Sequence, residues 1–512
     1  PWTERLRSVP ALLALLALWL SCTAGLRPLL VPDEGRYASV ALEMLRHGDW
    51  LVPTLNGLPF FHKPPLFYWL DIAAMRLIGV NAFAARFAPF VGAWLMGTAL
   101  LLALRRWHGL RTATLGLVVL ATCPLFFVAA QYANHDMLVA GLITVAVLAF
   151  VRALEAVPNP QPNEPTNEAR NEAPKPALRW IVAGWTACAL ALLAKGLIGV
   201  VLPLLVVGPW LLAQRRWRDV LRLLHPLGLA AFALVAGPWL VAMQLRFSGF
   251  FDYFIVEQHF RRYAQSNFNN VHPFWFFIVV LPALTLPWSG WLAAGSRRMF
   301  AMRGPLPGLY AWWIVAVVGF FSLPSSKLVG YVLPALTPWC ALTAMAIAGS
   351  ASRSGALRIS VIAAVLICAG VPLGLAWKAP TSHRAAALAL GARLEPGDRV
   401  AMVDEYLYDV PFYARLTQPV IVASDWAEPD LPRHDNWKKE LFDAARFDPE
   451  QGRAVLWPIG RLAQIGCGAH AVWFVVKAGQ NARLGAVPGI DKAYADTKTE
   501  LWRAPGPSDC GR

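Results

Sequence analysis

Residues 9–50 read VPALLALLALWLSCTAGLRPLLVPDEGRYASVALEMLRHGDW, and this stretch decides the class of the protein. An apolar run long enough to cross a bilayer, about 20 residues, ends directly on two adjacent acids, Asp33 and Glu34. The acids open a segment in which Val40, Met44 and Leu45 share one face at helical spacing. A span, then carboxylates at its exit, then an amphipathic helix is the pattern of a membrane protein with polar chemistry at one surface.

Working outward, apolar windows recur past residue 375. Eleven spans are expected, near 9–28, 82–104, 112–131, 136–154, 178–194, 196–214, 223–245, 273–295, 308–324, 329–349 and 357–377. Of the 512 residues, 57% are hydrophobic and 15% charged, against about 25% charged in soluble domains. The runs are continuous and do not alternate, which excludes a β-barrel. The net charge of +15 does not point to nucleic acid. The arginines concentrate in every second loop: Arg5 and Arg7; Arg105, Arg106 and Arg111; Arg152 and Arg179; Arg215, Arg216, Arg218 and Arg222; Arg297, Arg298 and Arg303; Arg353 and Arg358. The positive-inside rule then places those loops and the N-terminus in the cytoplasm and residues 378–512 outside, the periplasmic side of a bacterial inner membrane.

Two domains are expected: a membrane domain, 1–378, and a small α/β domain, 379–512. In the first, loop 29–81 is external with helices lying along the surface; LFYWLDIAAMRLIGV is one of them, with a short extra span as the alternative. Loop 155–177, EAVPNPQPNEPTNEARNEAPKPA, is too polar to fold and is expected to be disordered. In the second, strands are expected at RVAMV (399–403), PVIVA (419–423), RAVLW (453–457) and AVWFVV (471–476), with a helix over 436–447. Cys467 and Cys510 are candidates for a disulfide if that region is periplasmic.

The chemistry-bearing residues gather on the external side. Asp33 is a candidate base; a solvated helix start favoured by the helix dipole is the plainer reading. In FFHKPPLFYW (60–69), Pro64 and Pro65 hold Lys63 extended, fit to meet a phosphate, where the alternative is an interfacial anchor. Asp136, Lys195, the EQHFRRY run (257–263), Lys327 and Tyr331 also fall at this face. No phosphate-cradling Gly-rich loop for a nucleotide sugar is present. A donor already in the lipid, with its phosphate at the surface, fits better, since cations there stabilise the leaving group. A transporter is the alternative outside the enzymes, but no internal repeat is visible.

The order DEGRYA…KPP…D…KG…HFRRY…SKLVGY over residues 33–331 resembles the bacterial aminoarabinose transferase and protein mannosyltransferase group of GT-C membrane glycosyltransferases. The resemblance implies an all-α polytopic membrane domain of about eleven or more spans with periplasmic juxtamembrane helices. It also implies an undecaprenyl-phosphate sugar donor, an inverting displacement and a periplasmic site. The acceptor is lipid A or another lipid or glycan, with a protein acceptor as the alternative. By similarity Asp33, Glu34 and Asp136 are the catalytic acids; Arg36, Tyr37, Lys63, Lys195, Arg262, Lys327 and Tyr331 bind substrate. Arg261 stands beside Arg262 and competes for that match. The sequence departs at His62, where the branch often has Glu, and at Gln258-His259-Phe260. His62 and His259 are candidate ligands for a divalent metal, zinc or magnesium; plain hydrogen-bonding histidines are the simpler reading.

Overall fold

The computed structural model describes residues 8–155, 177–261, 270–301, 304–350, 354–378, 381–431, 436–465 and 470–505. Arg262, Cys467, Cys510 and nearly all of loop 155–177 lie outside these, as does the side chain of His259.

The protein is a multi-pass helical bundle with a small sheet at its C-terminal end. Among the described residues, seven helices are long and apolar enough to cross a membrane. The expected spans 82–104 and 112–131 are joined in one of them, Ala84–Ala121. That helix breaks at Gly109, whose φ of 82° and ψ of 169° leave the helical region; glycine accepts this conformation without a Cβ clash. Two expected spans are represented by shorter apolar helices, Val9–Ser21 and Ile198–Ala213. The expected span 273–295 is not one straight helix. It is a pair, Phe276–Leu284 and Trp288–Arg297, bent by 108°. Pro287 lies in the break and has no N–H to continue the helical ladder.

Residues 29–81 form helices, as expected. Helix Asp33–His47 has Asp33 and Glu34 in its first turn and Arg46 and His47 in its last, both favourable to the dipole. Gly48 closes it with φ 72° and an N–H bond to the Met44 carbonyl at 3.0 Å. Helix Leu66–Ile78 has 13 residues, about 20 Å at 1.5 Å per residue and too short to cross alone. Its Asp71 accepts the Ala88 N–H at 2.9 Å, tying it to the next span. Between the two helices, β1 (Thr54–Leu55) and β2 (Leu58–Pro59) form a hairpin.

The C-terminal sheet comprises β3 (Arg399–Val403), β4 (Ile421–Ser424), β5 (Leu456–Pro458), β6 (Val472–Lys477), β7 (Asp491–Ala495) and β8 (Thr499–Ala504), in the order β5-β4-β3-β6-β8-β7. β5, β4, β3 and β6 run parallel, and β6, β8 and β7 are antiparallel. Helix Trp437–Ala445 stands where a helix was expected. β5 starts three residues later than expected. Asp448 caps helix Pro449–Val455 by accepting the Gln451 N–H at 3.0 Å, so 453–455 are helical. The hairpin β7–β8 was not expected: DKAYA forms a polar, largely exposed edge strand, and TELWRA pairs between it and β6.

Strand alternation divides the sheet between two cores. Val400 and Met402 face the bundle, in one core with Tyr37, Val40, Ala41, Tyr406 and Leu407. Ala401 and Val403 face the opposite side, with Ile421, Phe474 and Leu462. Polar bonds lock the bundle-facing contact. Tyr413 Oη accepts the Leu29 N–H at 2.7 Å, Ser39 Oγ donates to the Tyr408 carbonyl at 2.8 Å, and Asn56 exchanges two bonds with the Val420 backbone at 2.9 and 2.7 Å.

Candidate active site

Asp33 and Glu34 are adjacent and have opposite surroundings. Glu34 is wholly buried and bonded to both Arg27 and Arg86; Arg86 Nε donates to it at 2.8 Å. It also accepts the backbone N–H groups of Leu30 and Ala133, each at 2.9 Å. Burial alone would raise its pKa; the two guanidiniums outweigh burial and hold the carboxyl at about 2. The expectation that Glu34 is catalytic is therefore corrected: its carboxylate is absent from the cavity wall and fully engaged in an internal knot. Asp33, by contrast, faces a cavity of about 1060 Å³. It pairs with Arg36, accepts a bond from Asn134 Nδ2 at 3.2 Å, and lies 3.5 Å from the Tyr132 hydroxyl.

Arg36 bridges Asp33 to Glu440 of the C-terminal sheet region, and its guanidinium lies 5.0 Å from the Tyr37 ring centre and 5.5 Å from that of Tyr408. Burial opposes its charge, but Glu440, Tyr37 and Asp33 more than compensate and raise its pKa well above the ordinary value. Tyr408 Oη donates to Glu440 at 2.6 Å.

Asp136 lies across the cavity at the start of helix His135–Ala153. Asn134 caps that helix by accepting the Asp136 N–H at 3.1 Å. Asp136 pairs with Lys195, the last residue of helix Leu178–Lys195, and the Lys195 ammonium stands 4.7 Å from the Tyr331 ring centre. Gly330 makes this arrangement possible. A Cβ there would lie 2.7 Å from Asp136 Cγ.

Of the expected residues, Asp33, Arg36, Tyr37, His62, Lys63, Asp136, Lys195 and Tyr331 line one cavity. Lys327 does not. It is 3% exposed, and its ammonium donates to the carbonyls of His272 at 2.9 Å and of Pro324, holding the 270–273 segment against the turn at 324–327. His62 stacks on Phe60 with ring centres 4.8 Å apart. Among the described residues no group of three His, Cys, Asp or Glu is placed to hold a metal, so His62 is the one expected ligand that can be located.

The rest of the wall was not foreseen. Val139, Ile143, Ile198, Val201 and Leu202 make its membrane side apolar. His383, Glu405, Tyr406, Asn436, Trp437 and Lys477 come from the C-terminal region. Asn134 could have been found as the helix cap two residues before Asp136. The C-terminal residues carry no local signal, since they reach the site only through the sheet.

The sequence model of the dolichyl-phosphate-mannose-protein mannosyltransferase family matches residues 6–254. The chain is 33% identical over 381 residues to undecaprenyl phosphate-alpha-4-amino-4-deoxy-L-arabinose arabinosyl transferase 2 of Sodalis glossinidius, covering 71% of this chain. In sequence the chain is similar to the GT-C membrane glycosyltransferases. It is 34% identical over 346 residues to the corresponding arabinosyl transferase of Erwinia tasmaniensis, covering 66% of this chain. It spans less than two thirds of either relative, 65% and 59%. Its fold is shared with the crystal structure of ArnT from Cupriavidus metallidurans bound to undecaprenyl phosphate, at TM-score 0.80 and 22% identity over 97% of this chain and 98% of the other. The GT-C fold expected from the sequence, bundle and small C-terminal sheet together, is the fold observed.

Proposed function

We propose that this GT-C protein is an inverting glycosyltransferase that moves a sugar from an undecaprenyl-phosphate donor to an acceptor at the external face of the bacterial inner membrane. The chain works as the two domains 1–378 and 379–512, with the second in the periplasm. The single observation that carries this reading is the amphiphilic cavity: apolar span residues on one side, and Asp33, Arg36, Lys63, Asp136 and Lys195 on the other. That wall accommodates an isoprenoid tail and a phosphate headgroup together. The relatives named for transfer from undecaprenyl phosphate support the same donor.

The roles follow from position. Lys63, Lys195 and Tyr331, with Arg262 on the expected pattern, meet the phosphate, and their charge stabilises the leaving group as the bond to the anomeric carbon breaks. Asp136 holds Lys195 in place. Asp33 orients the acceptor and takes its proton, while Arg36, set against the Tyr37 ring, fixes the Asp33 carboxylate. The acceptor oxygen attacks the anomeric carbon opposite the phosphate, so a single displacement inverts the centre.

The test is mass spectrometry of membrane lipids, glycans and periplasmic proteins from cells with and without the gene. Loss of one sugar adduct on deletion names sugar and acceptor together. An adduct on lipid A or another glycan supports the leading reading, and one on protein supports the mannosyltransferase-like alternative. No change in any adduct, with the protein expressed, contradicts the transferase reading and favours transport.

A further inference from the structure

On the C-terminal wall, His383 is held in a way that the roles above do not use. Its Nδ1 lies 2.8 Å from Asp409 Oδ1, its backbone N–H donates to Asp409 Oδ2 at 2.7 Å, and Ser382 Oγ donates to the same oxygen at 3.0 Å. Asp409 is 0% exposed and His383 7%. A carboxylate can only accept, so Nδ1 carries a proton, and in the neutral imidazole Nε2 presents its lone pair. His383 lines the large cavity, and its Nε2 makes no hydrogen bond among the described residues.

This pair is fixed relative to Asp33. The turn carrying Asp409 rests directly on the Asp33 helix at Gly35, where a Cβ would lie 2.8 Å from Asp409 N and 3.0 Å from Asp409 Cβ. Gly35 is thus the position in the DEGR motif that lets the C-terminal region approach the reacting acid. The surrounding wall has aromatic faces, Tyr406 and Trp437, and polar groups at Glu405, Asn436 and Lys477, with Lys477 paired to Glu405 at 2.8 Å. Aromatic faces that cover the apolar faces of a ring, among side chains that bond its hydroxyls, are suited to a carbohydrate.

We propose that His383, oriented by Asp409, is an acceptor-binding residue: its Nε2 accepts a hydrogen bond from a hydroxyl of a carbohydrate acceptor and sets that acceptor against Asp33. This rests on the transferase reading above. The apolar side of the cavity takes the donor lipid, and the C-terminal side takes the acceptor. His383 is the binding group, and Asp409 is a positioning residue acting through it.

The test uses the full-length protein in lipid nanodiscs. Transfer is measured against rising concentrations of the glycolipid fraction of the producing cells, and affinity is measured separately for undecaprenyl phosphate. His383→Ala and His383→Gln are expected to raise the half-saturating glycolipid concentration by about tenfold or more, the scale of a lost substrate hydrogen bond. Undecaprenyl phosphate affinity should stay within about twofold, since no donor contact is removed. Asp409→Asn should fall between, because its side-chain carbonyl still accepts from Nδ1. A structural role would lower both readouts together. The proposal is overturned if either folded His383 variant keeps the wild-type glycolipid dependence, if donor affinity falls as far as transfer, or if the wild-type protein transfers to protein and not to glycolipid. A wild-type protein with no transfer to any acceptor defeats the transferase reading itself, and this inference with it.

Discussion

The two sides of the cavity hold charge in different ways. On the membrane side, Asp136 and Lys195 form an ion pair at the ends of two spans, above a channel of Val, Ile and Leu. On the C-terminal side, Arg36–Glu440, Lys477–Glu405 and His383–Asp409 place ionic and hydrogen-bonded pairs among tyrosines. The Asp33 helix runs between them and bonds to the C-terminal side through Arg36 and Ser39. The membrane side is simple because hydrocarbon tolerates few charges, and those only where they pair. The C-terminal side has no such limit, so it can supply varied polar groups.

The comparison can be broken at four points. The largest effect is expected at the knot supporting the Asp33 helix. Glu34→Ala leaves Arg27 and Arg86 buried without their anion, a loss of about 3–5 kcal/mol read as a lower unfolding temperature or failure to accumulate. Unchanged stability would show that the knot does not hold the helix. The Glu34 pKa is depressed from 4.5 to about 2, so its stabilisation is complete above 4.5 and is lost as pH falls toward 2.

Next is the membrane side. Gly330→Ala should push the Asp136 carboxylate off Lys195 and slow transfer by about 10- to 100-fold with the fold intact. Full activity would mean the Asp136–Lys195 pair is not needed in this geometry. Lys63→Ala should weaken undecaprenyl phosphate binding by about tenfold, the value of one charged hydrogen bond; unaltered affinity would remove Lys63 from the phosphate site.

The smallest effect is at the seam. Glu43 accepts the Asn56 and Gly57 N–H groups of the β1–β2 turn at 2.7 and 3.0 Å. Burial raises its pKa from 4.5 to about 7 despite those bonds. The folded protein therefore holds a proton that the unfolded chain releases above 4.5, and stability declines as pH rises from about 4.5 through 7. Glu43→Gln should remove that decline. An identical pH profile in the variant would assign the decline elsewhere.

How much was legible follows the same division. The membrane side could be read because Asp33, Lys63, Asp136, Lys195 and Tyr331 each sit at the end of an apolar run or in a short motif, and hydrophobic length is the strongest signal in a sequence. The 108° bend and the Gly109 break were not legible, since a continuous apolar run does not report its direction. Glu34 and Lys327 were misplaced because sequence shows a charge near a surface but not which way it points. Their partners, Arg27, Arg86 and three backbone carbonyls, appear only on folding. His383, Glu405, Glu440 and Lys477 were invisible because the fold around a six-stranded sheet carries them to the site from 350 to 444 positions beyond Asp33.

On the proposed mechanism, Asp33 performs the chemistry while its neighbours bind and hold. The direct measurement compares wild-type and Asp33→Asn protein in nanodiscs, supplied with the donor lipid extracted from producing membranes. Sugar transfer and undecaprenyl phosphate affinity are followed together. The account expects a folded variant that binds undecaprenyl phosphate as the wild type does and transfers about 10²–10⁴-fold more slowly. A folded variant that transfers at the wild-type rate would contradict it.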